Sequence, residues 1–215
     1  MQLSHRRHHM YHNHVDKDYS HPWYTPEKLA REDEEMARWM NSNPLIRFTF
    51  PIVGWIIYLY GMPDGSHFIP FSEQRMWRES PKKEYYKCLI SSAVVLAYAK
   101  LIYTLCGSFS TMAYYYLAPA VVYGWWLVTV TYLQHHDPDT LVYGDDDWKF
   151  VPAAFETVDR QFGFGIDAFH HHITDGHVVH HLFFTKIPHY NLPMATKAIR
   201  KYMDASGLGH LYKYD

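Results

Sequence analysis

Residues 112–133 run for 22 positions without one charged side chain, and no other feature constrains the fold of this chain as strongly. At 1.5 Å per helical residue such a run reaches about 33 Å, enough to cross the ~30 Å hydrocarbon core of a bilayer. Residues 88–106 form a second block, 19 long, in which Lys100 is the only charge. Five residues, Gly107-Ser108-Phe109-Ser110-Thr111, separate the blocks, so the pair is expected to form an antiparallel helical hairpin. The competing reading, a buried hairpin in a large soluble core, requires 22 uncharged residues in a soluble helix, which is rare. Lys100 must snorkel or face the protein interior. The mean hydropathy of −0.32 hides these blocks because the apolar residues are concentrated in them. Seven Trp and 19 Tyr, residues that favour membrane boundaries, point the same way. The joining segment has no Lys or Arg whereas both flanks do, which places the flanks in the cytoplasm.

The other segments are polar. Residues 1–43 carry many His, Asp, Glu and Arg, with a helix expected over 28–40 behind Thr25-Pro26-Glu27. Residues 44–62 are apolar, but Arg47 and Pro51 leave about ten clean residues, too few to span. Residues 63–87 hold Arg75, Arg78, Lys82, Lys83 and Lys87; residues 134–215 hold an acidic loop at Asp145, Asp146 and Asp147 and a terminal helix near 193–205. The expected fold is therefore all-α. It is a polytopic membrane protein with a cytosolic segment over 1–43, an interfacial or re-entrant helix and loop over 44–87, a transmembrane hairpin over 88–133 and a cytosolic histidine-rich helical cap over 134–215. A net charge of −2 gives no reason to expect nucleic acid as a partner. Cys88 and Cys106, both in the apolar stretch, make no disulfide framework and fit a reducing compartment.

Seventeen histidines include two copies of His-x-x-His-His: His5, His8, His9 and His177, His180, His181. On a helix, positions i, i+3 and i+4 share a face, so each box aims three imidazoles at one point. At this histidine frequency a chance match is expected about once in ten chains, so two are improbable. A surface or tag-like tract accounts for the first box, since His12, His14 and His21 follow it, but not for the second, whose ligands alternate with Val178, Val179 and Leu182. Imidazole suits Zn, Cu, Fe and Ni. Six imidazoles exceed what one zinc takes, so two metal ions in a shared histidine cage are expected.

The boxes carry a family resemblance. Ser4-His5-Arg6-Arg7-His8-His9 resembles the second histidine box of membrane-bound acyl desaturases. The run from His171 through Ile173-Thr174-Asp175-Gly176-His177-Val178-Val179-His180-His181-Leu182-Phe183 resembles their third. With Thr131-Tyr132-Leu133-Gln134-His135, Thr157-Val158-Asp159-Arg160, Ile187-Pro188-His189-Tyr190 and Ala195-Thr196-Lys197, the set is most similar to the methyl-end branch, the Δ12 and ω3 acyl-lipid desaturases. The resemblance implies an oxidoreductase with two Fe ions held by His5, His8, His9, His177, His180 and His181, O2 as co-substrate, and electrons from cytochrome b5 and NAD(P)H. The reaction implied is insertion of a cis double bond into a fatty acyl lipid at the cytosolic face of the endoplasmic reticulum, with no catalytic residue beyond the metal ligands. His135, at the cytoplasmic end of the second crossing, and His171, six residues before the third box, compete as a further ligand. His136, His170, His172 and His189 are expected at the interface or behind the ligands, and Asp18-x-x-His21 and Asp167-x-x-His170 read as structural.

Both boxes serve one cluster only if the chain crosses an even number of times between them. The two strong segments satisfy this, so residues 44–62 must lie in the interface or re-enter. The resemblance also implies a first histidine box upstream of the second, and no His-x(3–4)-His stretch precedes His5. The expectation is an incomplete fragment, inactive alone. Hydroxylation, acetylenation or conjugation on the same cluster, and a truncated non-catalytic membrane partner, remain alternative outcomes, and Δ12 against ω3 position stays open. Transport is disfavoured because neither crossing contains a histidine.

Overall fold

The computed structural model describes residues 2–18, 20–21, 38, 42–60, 67–70, 74–184 and 186–215. The helix expected over 28–40 lies outside them except for Arg38. Among the described residues the architecture is helical, with no strand and only two isolated bridges, His14 with Tyr143 and Asp159 with Tyr214. The helices are α1 (Gln2–Tyr11), α2 (Pro44–Tyr60), α3 (Arg75–Arg78), α4 (Lys82–Cys106), α5 (Phe109–His135), α6 (Phe150–Ala154), α7 (Ile166–Phe169), α8 (His177–Leu182) and α9 (Leu192–Ala205). Residue contacts divide the chain into two compact units, Met1–His5 with Pro26–Thr129, and Arg6–Thr25 with Val130–Asp215.

The first unit contains the hairpin. At 25 and 27 residues, α4 and α5 are long and apolar enough to cross a membrane. Their apolar side chains point outward: Leu96, Leu105 and Tyr114 are each at least 70% exposed. A hairpin buried in a soluble core would show the opposite. Lys100 is exposed on α4. The connection is shorter than the five residues expected, because Ser108 caps α5 by accepting from Thr111 N at 3.1 Å and starts the helix at Phe109. One turn later, residues Ala113–Leu117 adopt π geometry. Pro119 explains it: the ring removes an N–H and crowds the carbonyl of Tyr115 four residues back, and a wider turn relieves both.

The apolar block before the hairpin is a continuous 17-residue helix, α2, despite Pro51. It packs on the middle of α5. A Cβ at Gly124 would lie 2.6 Å from Trp55 Cδ1, so only glycine lets the indole seat there. Residues 67–68 are strapped to their neighbours: His67 N donates to Leu59 O at 3.0 Å, Cys88 Sγ to His67 O at 3.2 Å, and Ser92 Oγ to Phe68 O at 2.7 Å. Ser4 Oγ meets His67 Nε2 at 2.7 Å.

The second unit is built around short helices and buried polar groups. Its apolar nucleus is Val178, Met203 and Tyr212, with Phe155, Leu182 and Ile199 against it. On α9, Leu192, Thr196 and Met203 are buried, a spacing that places one face of the helix inward.

Candidate metal centre

The box of His5, His8 and His9 lies on α1 and that of His177, His180 and His181 on α8, as their spacing requires. Within the second unit the two converge. His8 and His181 have ring centroids 5.0 Å apart, and His9 stands 4.4 Å from His180 and 4.2 Å from His181. Phe184 stacks on His9, with ring centroids 3.9 Å apart. The ligand atoms of His8, His21 and His135 lie within 4.8 Å of one another, as do those of His135, His177 and His181. His135 belongs to both groups. It arrives on the last turn of α5, while its partners come from α1, the following loop and α8, so chain segments remote in sequence supply one cluster. His5 sits on α1 one turn before His8, exposed, in the first unit. His171 joins neither group: with φ of 55° it turns its ring onto His189 at 4.5 Å, lining a cavity of about 380 Å³ that His180 also borders.

His21 and Asp18 go beyond the structural role read for them. Both oxygens of the fully buried Asp18 lie 2.9 Å from His8 Nδ1. That nitrogen must carry the proton, because a carboxylate only accepts, and in the neutral ring His8 Nε2 is then the acceptor, 3.2 Å from His135 Nε2. Asp18 also accepts from the backbone N–H groups of Asn13, Ser20 and His21, which folds the loop that delivers His21. Burial pushes the Asp18 carboxyl up to about 6. The Asp-x-x-His spacing was the available signal; a fixed spacing does not reveal that the carboxylate reaches backwards to His8.

The donor set fits a metal on observations internal to the structure. His8 Nε2 and His177 Nε2 lie 3.2 and 3.0 Å from His135 Nε2. One proton on His135 cannot serve both contacts in good geometry, so the crowded ring nitrogens are poorly satisfied by hydrogen bonding alone. Both ring nitrogens of His181 and Nδ1 of His135 are buried without a hydrogen-bond partner among the described residues. Burial holds the His181 pKa well below its ordinary value, so the ring is neutral and its lone pair available.

A clasp behind the third box completes the site. Asp159 accepts from Val178 N at 2.8 Å and from Tyr212 Oη at 2.6 Å, while Asp159 N donates to Lys213 O and Asp215 N to Asp159 O. The C-terminal residues are thus bonded to the first turn of α8. Gly176, just before His177, has no room for a side chain: a Cβ would stand 2.8 Å from His172 O and 3.1 Å from Leu192 Cβ.

The fatty acid desaturase family profile matches residues 1–214. The chain is 42% identical over 212 residues to the Delta(12) fatty acid desaturase fat-2 of Caenorhabditis elegans, covering 94% of this chain and 52% of that protein. It is 42% identical over 209 residues to the Omega-3 fatty acid desaturase fat-1 of the same organism (94% and 48%), and 34% identical over 217 residues to the sn-1 acyl-lipid omega-3 desaturase (ferredoxin) of Synechocystis sp. (99% and 55%). The chain spans about half the length of these curated relatives. With its histidine boxes gathered into one cluster and the family profile matched along nearly its whole length, this chain belongs to the fatty acid desaturase family.

Proposed function

We propose that the protein carrying this sequence inserts a cis double bond of Δ12 or ω3 type into a fatty acyl lipid at a histidine-held di-iron centre, with O2 as co-substrate and electrons from cytochrome b5 and NAD(P)H. The observation that carries this is the convergence of two groups of three imidazoles at His135, which gathers enough donors for two neighbouring ions. His8, His21, His135, His177 and His181 would hold the ions, the single lone pair of the neutral His135 ring going to one of them, with His5, His9 and His180 beside them; His171 would line the adjoining cavity. When bound, the irons supply O2 activation and removal of hydrogen from an unactivated methylene. The residues hold the imidazoles neutral by burial, set the His8 tautomer through Asp18, and exclude water with Phe184.

In this reading α4 and α5 span the endoplasmic reticulum membrane, and α2, about 25 Å long and seated on mid-α5, re-enters without crossing. The segments 1–43 and 134–215 then share the cytosolic side, 44–87 holds the re-entrant helix, and 88–133 is the hairpin. The test is expression of the gene product in a host lacking polyunsaturated fatty acids, with fatty acid analysis by gas chromatography and iron counting on the purified protein. A new diene or ω3 triene with two Fe per chain is expected. A hydroxylated or acetylenic product would overturn the reaction type; an iron-free, folded protein would overturn the centre.

A further inference from the structure

Residues 162–169, Phe-Gly-Phe-Gly-Ile-Asp-Ala-Phe, form a turn that displays aromatic rings outward. Phe164 is fully exposed, at 104%, and Phe169 is 88% exposed. This is no slack loop. Asp167, itself buried, accepts from Phe162 N at 3.1 Å, Gly163 N at 2.9 Å and Thr174 Oγ1 at 2.6 Å. Gly163, Phe164 and Gly165 all take left-handed backbone, with φ of 72°, 50° and 80°. For a bulky side chain such as Phe164 that conformation is strained, and the result is to hold a ring away from the protein.

The position of the turn says what the rings meet. Gln134 Nε2 donates to Ile173 O at 2.6 Å, and Arg160 Nε donates to Leu133 O at 2.7 Å; Arg160 N donates to Thr174 O at 2.8 Å. Leu133 and Gln134 belong to the last turn of α5, and Thr174 is the residue that bonds Asp167. A short chain of hydrogen bonds therefore ties the aromatic turn to the end of the helix read as a membrane crossing, where hydrocarbon gives way to headgroups. Asp167, the turn's one charged residue, is turned inward. Exposed aromatic rings on a rigid support at that level are what a bilayer interface accommodates.

We propose that Phe164 and Phe169 are an interfacial anchor, inserted into the lipid surface beside the end of α5 and holding the histidine-bearing unit against the bilayer. The inference rests on the reading of α5 as a membrane span, and the test separates the two. With Cys88→Ser and Cys106→Ser as background, single cysteines replace Phe164, Phe169, Val122 in mid-α5, or the exposed Asp146, and each carries a nitroxide in phospholipid nanodiscs. Collision with O2, which concentrates in lipid, is compared with collision with chromium oxalate, which stays in water. The expected O2-to-oxalate ratio is several-fold higher at 164 and 169 than at 146, and highest at 122. A ratio at 164 and 169 equal to that at 146, with 122 still high, overturns the anchor and assigns the rings to a protein surface or to water. A low ratio at 122 as well overturns the span and the anchor together. Because cysteine at 164 loses the ring, the variant Phe164→Trp read by doxyl-lipid quenching, with Phe164→Ser as its blank, repeats the measurement with an aromatic side chain in place; absence of lipid quenching there also overturns the anchor.

Discussion

Leu105 on α4 and Tyr114 on α5 are each 73% exposed, while His9, His12 and His181 in the second unit are sealed from solvent. In the hairpin the apolar groups are outside; in the histidine unit the polar groups are inside. Each arrangement is costly in water for a single polypeptide, and each has a partner that removes the cost. In the proposed reading lipid covers the exposed apolar surface, and a cation is the partner taken by the buried imidazoles. The two units should therefore respond to different perturbations, the first to loss of lipid and the second to loss of metal.

The sharpest test of that separation is His135→Ala. His135 stands where the two groups of three meet, so its removal is expected to lower bound metal further than His8→Ala does; equal losses from both would break the reading of His135 as the residue on which the groups converge. Metal analysis of the purified variants checks this. Next in size is a contrast between two close approaches. Gly176→Val forces its side chain onto His172 O and Leu192, and Gly124→Val forces one onto Trp55, each costing about 1–3 kcal/mol of stability as overpacking. The first should also displace the third box and lose metal; the second should lower the unfolding temperature in detergent with metal content unchanged.

Asp18→Asn keeps the shape but weakens the orientation of His8, and a competition titration should find metal affinity about 10–100-fold lower. Tyr212→Phe leaves the buried Asp159 short of one donor, a loss of about 1–3 kcal/mol confined to the second unit. The smallest effect belongs to His67 in the first unit, whose pKa burial lowers to about 4. The unfolded chain takes up this proton near 6.5 and the folded chain only near 4, so the stability is present above 6.5 and lost as pH falls through that window, at most about 3 kcal/mol. His67→Gln should flatten the acid slope of the unfolding temperature without changing metal content.

Much of this was legible beforehand because it rests on local periodicity. Uncharged length located both hairpin helices, and i, i+3, i+4 spacing put His5, His8 and His9 on one helix and His177, His180 and His181 on another. The block holding Arg47 and Pro51 is a helix, as read, and runs unbroken through both over 17 residues. The five-residue connection shortened to two because Ser108 is a good N-cap, a feature the count of apolar residues ignores. Of the competing His135 and His171, the structure groups His135 with two sets of imidazoles and lays His171 against His189, a difference in tertiary contacts that spacing along the chain does not encode.

By itself the amino-acid order determined what depends on neighbours along the chain: two helices of spanning length, two tripods of imidazole and membership of a recognisable family pattern. The tertiary structure alone decided which groups meet across it. Asp18 reaches back to His8, His21 enters the cluster through a folded loop, and Tyr212 reaches Asp159 behind α8. Helical spacing is a property of three or four consecutive residues, whereas these contacts depend on loop closure over 10 residues between His8 and Asp18 and over 53 between Asp159 and Tyr212.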